Sequence, residues 1–430
     1  MRSSIVHEGA VNINYEIRHI VEVGNRLIKS GRSMTWENIG DPIQMGEKVA
    51  PWIRAVVRDL LEQEVAWAYC HSRGILETRE FLAGEVNKRG GAQVTADDIL
   101  FVNGIADAVD KIYDLIRKDA RVVMPSPSYS THLSNESKRG SYENITFPLD
   151  PQNGWRPDLD ELRNLVKYNP QVVAVALVNP DNPTGMVYAE SELREMVAIA
   201  AKYGLFIICD EIYTHLNFTG KARHLSEIIG DVPAIALRGI SKEYPWPGAR
   251  CGWIEILNAR KHPAFAEYVK ALGTAKMLEV CATTLPQMSI PLVFGDVRYP
   301  EHLRTRAAKF AARADETAEI FGALPELILP KPQGAFYYPI VFKDGVLNGQ
   351  QKLPIDRAPT REIVENIVQG VADDKRFAYY LMGAEGICVT PLSGFHTPLN
   401  GFRLTLLRDD DDLRRATFRR IADAITRYVK

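Results

Sequence analysis

Long apolar runs are the first thing missing. The longest, Val172 to Val178 (VVAVALV), has seven residues, where a helical membrane span needs about 20. The opening stretch MRSSIVHEGAVNINYEIRH has no continuous apolar block of the kind a secretory signal carries. A chain that stays off the membrane, is not exported and works in the cytoplasm is expected. Cysteine is sparse: Cys70, Cys209, Cys251, Cys281 and Cys388 are odd in number, widely spaced and never in C-x-x-C register. That excludes a disulfide framework and leaves reduced thiols, mostly core fillers. The nine histidines show no H-E-x-x-H or paired spacing, so no metal site is expected. An excess of one charge is lacking too: the formal net charge is −2, which argues against nucleic acid or an anionic membrane as partner.

What is there is ordinary globular usage over 430 residues, room for two domains. Ile17 to Ile28 carries an amphipathic helical pattern, and IGDPIQMG after it is a turn. WIRAVVRDLLEQEVAW, opened by Pro51, predicts one helix, and Ile75 to Lys88 a second, ended by Arg89-Gly90-Gly91. From Ile99 strands and helices take turns: DILFV, ADAVDKIYDLIR, RVVMP, a helix running from PSPSYSTH to Lys138, YENITFPL, DLDELRNLVK with Asp158 as N-cap, QVVAVALV, SELREMVAIAAKYG, LFIIC and PAIALRG. Such alternation predicts an α/β unit, a mainly parallel sheet with helices on both faces. Beyond about Asn258 come long helical stretches (262–275, 283–295, 301–322), short strands (ELILP, AFYYPIV), a helix from Thr360 to Met382, strands ICVT and GFRLTLL, and a terminal helix. The boundaries expected are a large domain over 47–300 and a smaller α+β domain from 1–46 and 301–430. The polar loop KDGVLNGQQKLPIDRAP is expected to be the most mobile insertion.

Candidate chemistry gathers where the strands end, since ligands of open α/β sheets bind at carboxyl ends. Lys242 follows PAIALRG, and a desolvated lysine beside other cations is a nucleophile toward carbonyls, the basis of Schiff-base chemistry. Its ordinary alternative is a surface lysine. Asn103-Gly104-Ile105-Ala106 enters a helix whose free N–H groups suit an anion, and Arg250 and Ser241 offer further phosphate contacts. Asp210 follows the apolar LFIIC and needs a cationic partner: a ring nitrogen kept protonated, or else a helix to cap. Tyr213 and Asn182 are placed to reach a phenolic oxygen on that ring and Tyr129 to lie on its face. The alternatives are core tyrosines and turn chemistry beside Pro183 and Gly185.

NPDNPTG, DEIY and ISKEYPWPGARCGW, in that order and at strand ends, resemble the fold-type I pyridoxal-phosphate (PLP) aminotransferases of class I/II. YCHSRGILETRE, VNGIADA, PSPSYS, QGAFYYP and GFRLTLL extend the resemblance over most of the chain. It implies that Lys242 is the Schiff-base lysine, Asp210 the partner of the pyridine nitrogen, Asn182 and Tyr213 the ring-oxygen ligands and Tyr129 the stacking ring. It further implies that Arg250, Ser241 and the backbone at Ile105 and Ala106 hold the phosphate. Arg403, helped by the backbone at Gly40, takes the substrate α-carboxylate, and Tyr69 reaches across a homodimer interface to the partner's phosphate. Ala106 and Gly239 stand where relatives often carry hydroxyls, so fewer side-chain donors meet the phosphate.

NYEIRH, YCHSRG and PSPSY are most similar to the alanine aminotransferase-like branch, which puts Tyr15 and Arg18 near the substrate and makes Arg18 a candidate for the distal carboxylate of glutamate or 2-oxoglutarate. Glu279 stands where close relatives of that branch carry arginine, and if it faced the site it would disfavour an acidic side chain. The expected reaction is ping-pong amino transfer between an L-amino acid and a 2-oxo acid, alanine- or aspartate-type with glutamate/2-oxoglutarate as one pair. Two rivals use the same fold: a C–S lyase or decarboxylase, and a noncatalytic PLP- or amino-acid-sensing domain. No appended helix-turn-helix or basic arm supports the second.

Overall fold

The computed structural model describes residues 6, 8–11, 16–140, 142–219 and 223–430. Its centre is an eight-stranded sheet in the order Ile99–Val102, Gly252–Leu257, Ala234–Gly239, Phe206–Asp210, Val172–Val178, Arg121–Ser126, Ile145–Asp150, Arg156–Pro157. The five strands from Ala234–Gly239 to Ile145–Asp150 run parallel. The alternation expected from sequence is therefore present, and each connection returns the chain to the same edge. Gly252–Leu257 was not anticipated. It pairs antiparallel with both Ala234–Gly239 and Ile99–Val102, because the short connection through Pro247–Ala249 leaves no room for a crossover helix.

Successive residues on the central strands feed two different cores. Ile99, Phe101, Val123, Val175, Leu177 and Ile207 point to one, where helices Leu76–Lys88, Leu159–Tyr168, Glu190–Tyr203 and Thr284–Phe294 add their apolar stripes. Leu100, Val102, Val122, Ala174, Ala176 and Ile208 point to the other, covered by helices Ile105–Asp114 and Pro263–Met277. Burial on both faces is why these strands read as near-continuous apolar runs. Asp158 caps its helix, accepting from Glu161 N at 2.8 Å.

A second sheet, all antiparallel, orders Leu327–Ile328, Tyr337–Phe342, Gly401–Thr405, Thr390–Pro391, and Thr35–Trp36 pairs in parallel with Ile387–Cys388. Its core includes residues from helices Glu16–Lys29, Tyr299–Phe321, Asp373–Glu385 and Asp411–Tyr428, and it also takes in Val178, Ile212, Tyr213 and Leu216 from the end of the large sheet. The core under the second sheet thus reaches the large sheet at the carboxyl edge of the parallel strands.

Three local expectations are corrected. The helix opened by Pro51 stops at Leu61, and Glu64–Trp67 forms a separate 3₁₀ turn; the Trp67 indole folds back to donate to Leu61 O at 2.9 Å and so satisfies a carbonyl at the helix end. The helix expected over 360–382 is two, Ala358–Ile367 and Asp373–Glu385, parted at Gly370, whose φ of +70° no helix accommodates. The polar loop over 343–359 is anchored: Leu347, Leu353 and Ile355 are buried in the core under the second sheet, a pattern hidden in the sequence because polar residues separate them.

Candidate active site

Lys242 lies on a single helical turn, Ile240–Glu243, at the exit of strand Ala234–Gly239. Its Nζ donates to Gly40 O at 2.6 Å and stands 5.6 Å from the Phe336 ring centroid. Burial lowers its amine to about 8; Asp41 opposes the shift, Arg403 and Arg250 add to it, and Asp210 opposes it. The surface-lysine alternative is thereby excluded: this amine loses its proton far more readily than an exposed lysine does.

Asp210 ends the neighbouring strand and is 1% exposed. One oxygen, Oδ1, accepts from Ile212 N at 3.0 Å; the other, Oδ2, lies 3.8 Å from His132 Nε2. That nitrogen is buried without a hydrogen-bond partner, while Nδ1 of the same ring is 3.3 Å from Tyr113 OH. His132 is a site residue that sequence reading passed over. Its signal was its place three residues after Tyr129 at a helix start, and the two rings meet edge to face at 6.3 Å. Tyr129 itself is half-buried.

Asn182 and Tyr213 complete this wall. Asn182 Oδ1 accepts from Arg403 Nη1 at 2.9 Å, and Arg403 Nη2 donates to Asn38 O at 2.8 Å. The Arg403 guanidinium lies over the Tyr337 ring at 4.2 Å and the Phe395 ring at 5.1 Å. It is 1% exposed, its Nε lacks a partner, and among the described residues no carboxylate pairs with it. A buried cation held only by neutral oxygens and ring faces is a demand for an anion. Tyr213 OH is 2.9 Å from Tyr337 OH, and burial foremost, then Tyr337, pushes the Tyr213 phenol well above its usual range. At Gly40 a Cβ would come within 2.6 Å of Tyr337 OH.

The anion site expected at Ile105 and Ala106 is the start of helix Ile105–Asp114, whose first N–H groups have no carbonyl one turn earlier to receive them. Gly104 caps it with φ +87°, and a Cβ there would sit 2.3 Å from Arg250 Nη2. The guanidinium thus lies against the helix start, bonded to Pro247 O at 3.0 Å and Asn103 O at 3.4 Å, with no carboxylate partner among the described residues. Ser241 is half-buried beside Lys242.

Other expected contributors lie apart. Tyr69 is 84% exposed at a cleft of about 610 Å³ lined also by Trp67, Asn103 and Cys281. Arg18 is exposed on helix Glu16–Lys29, and Tyr15 lies outside the described residues. Glu279 does not present a bare negative charge: it pairs with Lys111 and Lys276, and Asn103 Nδ2 approaches it at 3.5 Å.

An amine of lowered pKa and a buried carboxylate, with unpaired arginines at two ends, fit pyridoxal phosphate and an amino-acid carboxylate in charge and chemistry. Fold and site together define a PLP-dependent transferase of fold type I. The chain belongs to the family Aminotransferase class I and II, whose model matches residues 35–419. An uncharacterized aminotransferase of Methanocaldococcus jannaschii is 47% identical over the full length of both chains. The glutamate-pyruvate aminotransferase AlaA of Escherichia coli is 28% identical over 84% of this chain and 88% of its own. Among solved structures, the alanine aminotransferase of Pyrococcus furiosus superposes with TM-score 0.84 at 23% identity, covering 98% of this chain and 99% of the other. The aspartate aminotransferase of Thermus thermophilus does so with TM-score 0.77 at 20% identity, covering 99% and 100%. The protein is a PLP-dependent aminotransferase, and no helix among the described residues is long and apolar enough to cross a membrane.

Proposed function

We propose that this enzyme moves the amino group of an L-amino acid to a 2-oxo acid with glutamate and 2-oxoglutarate as one of its pairs and an alanine- or aspartate-type partner as the other. The observation that carries the reading is Arg403, a buried guanidinium without a carboxylate of its own, fixed between Asn182 and two aromatic rings. Such a fork suits the α-carboxylate common to every substrate of the class. The glutamate-pyruvate aminotransferase activity of the E. coli relative supports the pair. Glu279, neutralised by Lys111 and Lys276, adds no net repulsion toward an acidic substrate.

Lys242, Asp210, Asn182, Tyr213 and Tyr129 would hold the ring of the cofactor, and Arg250, Ser241 and the amides at Ile105 and Ala106 its phosphate. When bound, pyridoxal phosphate supplies an aldehyde for amines and an electron-poor ring that accepts charge from the α-carbon. Lys242 Nζ, neutral in a substantial fraction near pH 8, takes up the α-proton and returns it. Asp210, in a wall with little water, would face the heterocycle nitrogen and favour a proton there, and its bond from Ile212 N keeps the carboxylate in place. Tyr213 OH, protonated at all working pH values, donates to an oxygen. Arg403 fixes the substrate by its carboxylate.

The reading extends to assembly. A homodimer sharing its active sites is supported by Trp67 and Tyr69, large aromatic side chains exposed at the cleft. A division into a large domain over 47–300 and a small one from 1–46 and 301–430 is supported by the separate second sheet, whose strands all lie after residue 300. A cytoplasmic location accords with the free thiols. The test is a panel of amino acids mixed singly with the loaded enzyme, following conversion of the cofactor to its amine form. Glutamate plus alanine or aspartate should convert it stoichiometrically; ammonia or carbon dioxide released instead would favour the lyase or decarboxylase.

A further inference from the structure

A one-turn helix has no following turn to receive its last carbonyls, and the turn that carries Lys242 ends in two of them. A single guanidinium takes both: Arg306 Nη1 donates to Lys242 O at 2.5 Å and to Glu243 O at 2.7 Å. Arg306 is buried on helix Tyr299–Phe321. Its other edge meets Glu47 in a two-pronged pair, Nε at 2.8 Å and Nη2 at 2.9 Å, and Lys309 Nζ adds a bond to Glu47 at 3.0 Å. Burial alone would raise the Glu47 carboxyl, but the Arg306 hydrogen bonds and charge, with Lys309, outweigh it and hold the group down to about 2. The Glu47 carboxylate is therefore ionised throughout the working range.

Glu47 closes the segment that begins near Gly40, and Gly40 O is the acceptor for Lys242 Nζ. The contacts form a ring: from the amine of Lys242 to Gly40, along the chain to Glu47, across to Arg306, and back to the carbonyl of Lys242. Both ends of the lysine residue, main chain and amine, are thus referred to one arginine. A fork that serves a carboxylate and two carbonyls at once uses four of arginine's five coplanar donors, a geometry lysine lacks. The turn has a second anchor at Glu243, held by Arg238 Nη2 at 3.0 Å and Tyr299 OH at 2.9 Å, so loosening Arg306 shifts the lysine without dismantling the fold around it.

We propose that Arg306, braced by Glu47, is a positioning residue that keeps the amine of Lys242 desolvated and aimed into the site. The proposal rests on Lys242 being the reacting amine. The test uses the full-length chain without cofactor and two variants, Arg306→Lys and Glu47→Gln. Competitive acetylation with acetic anhydride across pH, read by peptide mass spectrometry at Lys242 against an exposed lysine, gives the pKa of the amine while Asp41, Asp210, Arg250 and Arg403 around it stay unchanged. In the wild type Lys242 should titrate near 8. In Arg306→Lys it should rise by about one unit, roughly a tenfold fall in the neutral fraction at pH 7, with Glu47→Gln moving the same way by less. In the loaded enzyme kcat should fall with little change in KM. Folded variants that are thermally weakened yet titrate Lys242 as the wild type does would overturn the proposal, leaving Arg306 a structural residue only. If Arg306→Lys fails to fold, Glu47→Gln decides alone. A wild-type Lys242 that titrates like an exposed lysine would instead overturn the reading of the amine itself.

Discussion

Replacing Lys242 by methionine should make the cofactor-free protein more stable at neutral pH while abolishing its chemistry. The amine is lowered from 10.5 to about 8 by burial foremost, and each unit corresponds to about 1.4 kcal/mol. The folded state is therefore penalised by roughly 3 kcal/mol when the lysine is charged. Methionine removes that penalty with a side chain of similar length, but forfeits the bond to Gly40 O and leaves that carbonyl short of a donor, a loss of about 1 kcal/mol. The net gain is about 2 kcal/mol. Its sign with pH is fixed by linkage. The folded pKa lies below the unfolded one, so the folded state binds fewer protons between about 8 and 10.5, and wild-type stability rises with pH across that window. The advantage of Lys242→Met should be full well below pH 8, vanish near pH 10 and turn into a deficit of about 1 kcal/mol once both states are deprotonated above about 10.5. Guanidinium unfolding of both proteins, without cofactor, at intervals from pH 6.5 to 10.5 measures it. A variant less stable than wild type at pH 7, or one whose advantage does not change with pH, refutes the account of a desolvated amine.

Gly104→Ala should cost about 1–3 kcal/mol, since its φ of +87° and ψ of 162° belong to glycine and the new Cβ would meet Arg250 Nη2 at 2.3 Å. Displacing that guanidinium should also weaken cofactor retention, read by the rate at which dialysis bleaches the holoenzyme; an unchanged rate would remove Arg250 from the phosphate site. Arg403→Lys keeps the charge but loses the fork, and should lower kcat/KM by about 10- to 100-fold for every amino acid alike, as a contact worth roughly 1.5–3 kcal/mol implies. A loss confined to acidic substrates would instead place Arg403 at the distal carboxylate.

The sheet and most of the site were legible because both depend on local patterns. Buried parallel strands write themselves as apolar runs, and Lys242, Asp210, Asn182 and Tyr213 each stand within a few residues of a strand end. Strand Gly252–Leu257 was missed because GWIEIL reads equally well as an extended tail to the Arg250 loop, and its antiparallel direction is decided by the loop before it. The partners of Arg403 and Lys242 were illegible for another reason. Gly40 lies 202 residues from Lys242 and Asn182 221 residues from Arg403, so only the closed chain brings them together. His132 shows the same limit in part: its place three residues after Tyr129 puts it beside that ring, but only the closed chain brings it to Asp210. The pairing of Glu279 with Lys111, on another helix, was likewise beyond reach from its own position in the sequence.

The most direct measurement is reduction of the PLP-loaded enzyme with borohydride, followed by proteolysis and mass mapping. One pyridoxyl group per chain, on the peptide that contains Lys242, is the predicted result. A pyridoxyl group on any other lysine, or none retained after reduction, would contradict the claim on which the rest stands.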